Sequence, residues 1–426
     1  MIRKIVTLIS ALFCFECYAQ DIVVAEIKKH IAFLASDKLK GRGTSTQEET
    51  MAATYIAMQF QNYGLQPKGL NLQANAEKNS VSRYFYDFTY KTPANPHDTV
   101  GTGEEKRSKN VVAFLDNGAA HTIVIGAHYD HLGLGKDHNS LDANPEGKIH
   151  NGADDNASGT SGVLELAKYF ASNKTTEKYN FLFICFSGEE LGLIGSKRWC
   201  EKPTIPLESI NYMINMDMIG RLNDSTTLPD GKAGKIIVYG VGTSPAWVPL
   251  MDKMQSPFAI KKDSSGIGPS DQTSFYLKNI PVLHFFTGQH SDYHKPSDDA
   301  DKINYEGEKK VLDYIIKLVE ETETMPKLVF TATKAPDNKT TGFKVTMGVM
   351  PDYAFEGKGM RIDGVTENKP AFKAGVKQGD VVIKLGDDDV ESVQTYMKAL
   401  SKFKKGDTTT VKILRGKEEK SLSLTF

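Results

Sequence analysis

The sequence predicts an α/β protein, with helices on both sides of a mixed, largely parallel sheet, followed by a small β-rich module. Three observations carry this. From Asn110 to about residue 290, short continuous apolar runs alternate with helical stretches, the pattern of strands buried on both faces. Met325 to Lys339 holds two prolines and many polar residues and reads as a linker. After it the chain changes to short strands and one helix. A chain of 426 residues also exceeds what one hydrophobic core ordinarily supports. The expected division is a leader over 1–19, a large domain over 20–324, a linker over 325–340 and a small domain over 341–426.

Arg3-Lys4, the apolar Ile5 to Phe15 and Cys17-Tyr18-Ala19 ahead of Gln20 form a secretory signal pattern. The apolar run is too short to span a bilayer, and Phe13 and Glu16 argue against a lipid anchor at Cys14 or Cys17. Export without a stable membrane anchor is therefore expected. Composition is ordinary, 40% hydrophobic and 25% charged, and the formal net charge of -1 makes no electrostatic case for nucleic acid.

Ile27, Ile31 and Leu34 keep helical spacing, Lys40-Gly41-Arg42-Gly43-Thr44 breaks it, and Met51 to Tyr63 resumes it until Gly64. Residues 67–108 are polar and irregular apart from a strand-like Tyr84 to Tyr90, and read as an elaborated hairpin. Strands are expected at Val111–Leu115, Thr122–Ala127, Phe181–Phe186, Tyr212–Met216, Ile236–Tyr239 and Val282–Phe286. Helices are expected over Ser161–Ala171, Gln272–Leu277 and Glu306–Glu321. Cys185 and Cys200 remain after the leader is removed; two cysteines make no disulfide framework, and both pairing and burial as free thiols stay open.

The chemistry centres on Gly152-Ala153-Asp154-Asp155-Asn156-Ala157-Ser158-Gly159, two carboxylates among small residues ahead of an apolar helix. Taken alone, this is also a good helix cap. Its neighbours decide the matter. His128-Tyr129-Asp130, Ser187-Gly188-Glu189-Glu190 and Asp217 each follow a strand, and the run after Val282–Phe286 carries His290, Asp292 and His294. Ligands of open α/β sheets bind outside the carboxyl ends of strands, and imidazole with carboxylate suits zinc, or less well manganese or cobalt.

These motifs, with Asn215-Met216-Asp217-Met218-Ile219-Gly220 and Asp292-Tyr293-His294, resemble the co-catalytic di-zinc peptidase family of bacterial leucyl aminopeptidases, aminopeptidase Y and glutamate carboxypeptidase. Leu34-Ala35-Ser36-Asp37 and Gly41-Arg42-Gly43 extend the resemblance, which covers about residues 25–322. It implies a three-layer α/β/α domain binding two Zn2+. Asp155, four residues before Gly159, matches the bridging ligand, with a cis peptide after it. His128 and Asp217 would hold one metal, and Glu190 and His294 the other. Asp130 would orient His128. Glu189 would be the general base for a metal-activated water, and Tyr293 an oxyanion donor. The implied activity is that of an exopeptidase acting on peptides, expected to be an aminopeptidase. Carboxypeptidase or dipeptidase activity is the alternative, and a dead peptidase scaffold a further one. A one-metal glutaminyl-cyclase-like enzyme fits less well, because that relative lacks the first His. The pattern assigns no metal to His131, His138, His150 or His290, which read as solvated or rim residues. Asp271 and Arg221 lie where they could contact substrate ends but read first as structural ion-pairing residues, and Asp298 or Asp299 would orient His294.

Gly357-Lys358-Gly359-Met360 and Gly375-Val376-Lys377-Gln378-Gly379-Asp380, with a helical Val393–Phe403 and two closing strands, resemble a PDZ domain. That implies a peptide or protein ligand added as a strand, its carboxylate received by the glycine loop. Lys358 departs from the apolar residue common there. A module that only braces the large domain is the alternative.

Overall fold

The computed structural model describes residues 21–70, 80–93, 101–137, 139–142, 144–222, 234–333, 345–351, 357–365, 369–391 and 393–426. The leader, His138 and residues 334–344 lie outside them. No helix of the described residues is long and apolar enough to cross a membrane.

In the large domain the strands are β1 (Gln66–Pro67), β2 (Phe85–Pro93), β3 (Gly101–Leu115), β4 (Thr122–His128) and β5 (Asn180–Phe186). They continue with β6 (Ile210–Met216), β7 (Lys235–Tyr239), β8 (Ala259–Asp263) and β9 (Val282–Phe286). The order is β1-β3-β5-β4-β6-β9-β7-β8, with β2 paired to β3. The central run β5-β4-β6-β9 is parallel throughout, while β3 and β7 flank it antiparallel. The carboxyl ends of those four strands therefore open along one edge, and that edge holds the candidate ligands.

Alternation along the strands separates two cores. Ile123, Ile125, Phe181, Phe183, Tyr212, Ile214 and Phe285 face one side. There they meet α1 (Val24–Leu34), α2 (Gln47–Asn62), α3 (Gly159–Ser172) and α7 (Tyr305–Thr322). Val124, Leu182, Ile184, Phe186 and Met213 face the other, against Trp199 of α4 (Ile194–Glu201) and Phe275 of α6 (Gln272–Tyr276). The result is the three-layer sandwich the apolar runs imply. Cys185 belongs to the first core and Cys200 to the second, so both thiols are free and buried on opposite faces of the sheet.

Boundaries move outward from the sequence expectation. β3 starts at Gly101 because its polar first half pairs with β2 over Phe85–Lys91 in a long hairpin. Helix α5 (Trp247–Lys253), only seven residues long and with Pro249 inside it, and the polar edge strand β8 were not foreseen. Part of the expected linker is docked: Thr331 N–H donates to Thr243 O at 2.8 Å, Thr333 N–H to the Tyr276 hydroxyl at 2.9 Å, and Phe330 packs on Tyr276.

The C-terminal unit is a second sheet, β10 (Val349–Pro351), β11 (Met360–Val365), β12 (Val381–Leu385), β14 (Thr408–Arg415) and β15 (Glu418–Thr425), with β13 (Asp388–Asp389) paired to β12. Short helix α8 (Pro370–Lys373) and α9 (Val393–Leu400) accompany it. Its own core includes Met347, Met360, Ile362, Val382, Leu385, Val411 and Ile413.

Candidate metal centre

Four strand ends and the turn before α3 bring the expected ligands together. His128 Nε2 lies 3.3 Å from Asp155 Oδ1 and 3.3 Å from Asp217 Oδ1. His294 Nε2 lies 3.2 Å from Asp155 Oδ2 and 3.2 Å from Glu190 Oε2. Asp155 thus presents one oxygen to each imidazole, which is the placement a bridging carboxylate needs.

The turn itself explains why these residue types are there. Gly152 has φ +58, and a Cβ on it would overlap the Asp155 carbonyl and the His131 ring. Gly159 lies so close to the Met216 carbonyl that a side chain would collide with it. The Asp155–Asn156 peptide is cis. Asp154 points away from the cage and accepts from Gly220 N–H (2.7 Å), Ser158 Oγ (3.1 Å) and His290 Nε2 (3.1 Å). Asp298 accepts from the amides of both Asp154 and Asp155, each at 3.0 Å.

The two candidate ligand histidines are oriented by backbone carbonyls. His128 Nδ1 is 3.1 Å from the Asp130 carbonyl, whereas the Asp130 carboxylate stands 3.8 Å away. That carboxylate instead accepts from Thr44 Oγ1 (2.8 Å) and Glu189 N–H (3.3 Å). His294 Nδ1 donates to the Asn139 carbonyl at 2.7 Å. Neither Asp298 nor Asp299 orients it, because Asp299 accepts from Asn151 Nδ2 and Asp298 holds the turn.

The charges are arranged for a cation. Burial opposes protonation of His128, yet Asp217, Glu189 and Asp155 hold it well above the ordinary imidazole range. Burial pushes Glu190 up, but His294 and His131 outweigh it and bring it down to about 2. Asp155 is likewise held well below its ordinary value against burial, by His131, His128 and His294. Three carboxylates and two imidazoles within these distances are an oxygen-rich set with nitrogen donors, and they fit zinc. Among the described residues, two groups of ligand atoms lie close enough to hold an ion, His128 with Asp155 and Asp217, and His131 with Asp155 and Glu190.

Glu189 lines the same pocket beside these ligands. Burial, with Glu190, Asp217 and Asp271 adding their charge, raises it well above its ordinary value, against the pull of His128. Tyr293 stacks on His294 with ring centroids 3.9 Å apart and also lines the pocket. Met218, Tyr239, Pro269, Ser270, His284, Phe286 and Gln289 line the rest of the pocket.

Several residues depart from their expected roles. His131 is buried at the centre, with Nδ1 2.8 Å from Glu190 Oε1. His290 is bound to Asp154 rather than at a solvated rim. His150 contacts Ser140 Oγ at 2.7 Å, away from the cage. Arg221 does form an ion pair, with Asp292 at 3.2 Å. Asp271 is fully buried with no ion pair among the described residues, and burial pushes it up to about 7. Sequence reasoning quoted Arg42 within Gly41-Arg42-Gly43 but gave it no role; its guanidinium is fully buried and donates to the carbonyls of Tyr129, Leu34, Asn151 and Gly152.

In the C-terminal unit, Lys358 pairs with Glu391 at 3.0 Å and Gly359 N–H donates to the Glu391 carbonyl at 3.1 Å. Met360 is buried and pairs with Val382, so its side chain belongs to the core rather than to the loop surface. Gly357 begins the loop at an exposed position.

Residues 110–319 match the model of peptidase family M28, and residues 337–426 that of the PDZ domain. Leucine aminopeptidase 2 of Arthroderma otae is 27% identical over 195 residues, 44% of this chain and 38% of that protein. The alignment thus spans well under half of that relative. A solved zinc-dependent exopeptidase from Parabacteroides distasonis superposes with TM-score 0.53 at 16% identity, over 71% of this chain and 99% of the other. A glutaminyl cyclase from Bacteroides thetaiotaomicron gives 0.51 at 15%, over 71% and 98%. At such identities the likeness shows the fold, which hosts both activities.

Proposed function

We propose that this chain, which carries a domain of peptidase family M28 followed by a PDZ domain, is an exported zinc-dependent aminopeptidase. The observation that carries the reading is the two-sided cage around Asp155, with Glu189 in the same pocket. His128 and Asp217 would hold one zinc, Glu190 and His294 a second, and Asp155 would bridge them. Bound there, zinc supplies Lewis acidity to water and to the scissile carbonyl.

The protein's own groups do the rest. Glu189, held with a high proton affinity, takes a proton from the attacking water and delivers it to the leaving amine. The Tyr293 phenol reaches into the pocket over His294 and donates to the developing oxyanion. Met218, Tyr239 and Phe286 offer apolar surface for a hydrophobic side chain. No Lys or Arg is among the described residues lining the pocket. A free amine suits such an acidic pocket, whereas a C-terminal carboxylate would find no cationic partner, which favours aminopeptidase over carboxypeptidase. Export rests on the basic and apolar N-terminus. The PDZ unit is assigned to a peptide ligand, with the Gly357–Gly359 loop at its end.

The test is mass spectrometry of a mixed peptide pool, each peptide free and N-acetylated, incubated with zinc-loaded protein. Stepwise loss of N-terminal residues from the free peptides alone is expected. Trimming from the other end of both forms would replace the reading by carboxypeptidase, and no cleavage despite bound zinc would overturn peptidase function.

A further inference from the structure

Among the described residues His131 is an imidazole in contact with the proposed ligands Glu190 and Asp155 that the two-metal assignment leaves without a task. Its ring is fixed. The backbone bridges Gly43, with His131 N–H on the Arg42 carbonyl at 3.3 Å. Gly152 packs against Cγ and Cδ2 so closely that any side chain there would overlap the ring. The ring stands edge-on to His294, centroids 5.8 Å apart. This puts Nδ1 at 2.8 Å from Glu190 Oε1 and 3.9 Å from Asp155 Oδ2, while Nε2 is buried without a hydrogen-bond partner.

Distance alone would allow His131 to be a third imidazole ligand. The far nitrogens distinguish the roles. A neutral histidine that binds a metal through one nitrogen carries its proton on the other, and that N–H wants an acceptor. His128 and His294 both satisfy this, through the carbonyls of Asp130 and Asn139. His131 does not. Were Nδ1 bound to metal, Nε2–H would be a buried donor with nothing to receive it. With the proton on Nδ1, the orphan is only an acceptor lone pair, and Glu190 gains a hydrogen bond.

We propose that His131 is a positioning residue: its Nδ1–H occupies Glu190 Oε1 and leaves Oε2 as the single atom Glu190 offers to a metal. Oε2 is the oxygen that faces His294 Nε2 at 3.2 Å. Glu190 would then offer a metal one oxygen only, its other oxygen being taken by His131. The inference rests on the two-metal reading above.

The test compares full-length wild type, His131→Asn and His131→Phe, each stripped and titrated with zinc or cobalt(II) against a chromophoric chelator. Asn places an N–H near the Nδ1 position; Phe keeps the ring and removes the donor. The Phe variant is expected to lose about 10- to 100-fold in affinity at one of the two sites only. Its cobalt spectrum should shift to the weaker absorption of a higher coordination number as Glu190 becomes bidentate. The Asn variant should recover both. Unchanged affinity and spectrum in the Phe variant would overturn the proposal, as would a loss that Asn does not recover. A further measurement needs no variant: in zinc-loaded wild type labelled at histidine nitrogen, NMR should find a proton on His131 Nδ1. A metal-shifted Nδ1 without a proton would make His131 a ligand instead. Wild type that takes up no metal would overturn the metal-centre reading and this inference together. Two bound metals with an unaffected Phe variant would overturn the inference alone.

Discussion

Asp154 and Asp155 are adjacent and chemically identical, yet one braces the site and the other forms it. Direction decides this: Asp155 faces His128 and His294, while Asp154 faces Gly220 and His290. A second buried carboxylate, Glu49, shows the same dependence on surroundings. It accepts from Ser45 N–H at 2.9 Å and from the hydroxyls of Ser108 and Ser187. Burial raises it to about 7 against Lys109 and those hydroxyls, with Asp130 adding to the rise. Between its ordinary 4.5 and 7, the folded chain keeps a proton that the unfolded chain has lost. Glu49 thus stabilises the fold fully below pH 4.5, and that contribution fades as pH rises through 7. The whole effect is on the order of 3 kcal/mol. Glu49→Gln should flatten this loss, so urea midpoints compared at pH 5 and pH 8 should fall less in the variant than in wild type. An equal fall in both would refute the assignment. Residue types at the candidate metal centre were legible in the sequence because four of the motifs follow strands and the fifth is a glycine-flanked acidic turn ahead of α3. The orienting partners were not: His128 and His294 rely on main-chain carbonyls, which carry no residue signature.

At the scale of elements, the centre is a set of loops tied together from behind. Arg42 joins the carbonyls of Tyr129, Asn151 and Gly152, so the loop after β4 and the turn before α3 share one buried clamp. Lysine keeps the charge but cannot fork to several carbonyls. Arg42→Lys is expected to destabilise the protein by roughly 2–4 kcal/mol, read in urea unfolding; a change within 0.5 kcal/mol would deny the clamp. Gly152→Ala meets both a left-handed φ and the His131 ring. It should cost about 2 kcal/mol or more and weaken zinc uptake, measured by metal content after gel filtration. The glycines of this turn were legible as a sharp bend. Asp298 was legible only as an acid near His294, and its grip on two backbone amides belongs to the tertiary fold. β8 and α5 escaped notice because an edge strand and a two-turn helix bury few side chains.

Across the whole large domain, the continuous apolar runs were enough to place the central strands and the edge where they open, since strands buried on both faces cannot be polar. The extent of the β2–β3 hairpin was less visible, because the stretch of β3 that pairs with β2, Glu105 to Lys109, is polar and lacks the apolar run that marks the central strands. Zinc held in the proposed cage, which joins four strand ends and the turn before α3, would tie metal to stability. Zinc at about 100 times its dissociation constant adds about 2.7 kcal/mol, so a chelator should lower the melting temperature by several degrees, and zinc should restore it. An unmoved transition would contradict a resident metal. In the proposed reaction Glu189 performs proton transfer beside a metal pair it does not itself hold. The direct measurement is zinc content and peptide turnover of Glu189→Gln beside wild type. Two zinc per chain in both, with turnover reduced about 10²- to 10⁴-fold in the variant, is the expected result. Turnover retained, or zinc lost with the substitution, would contradict it.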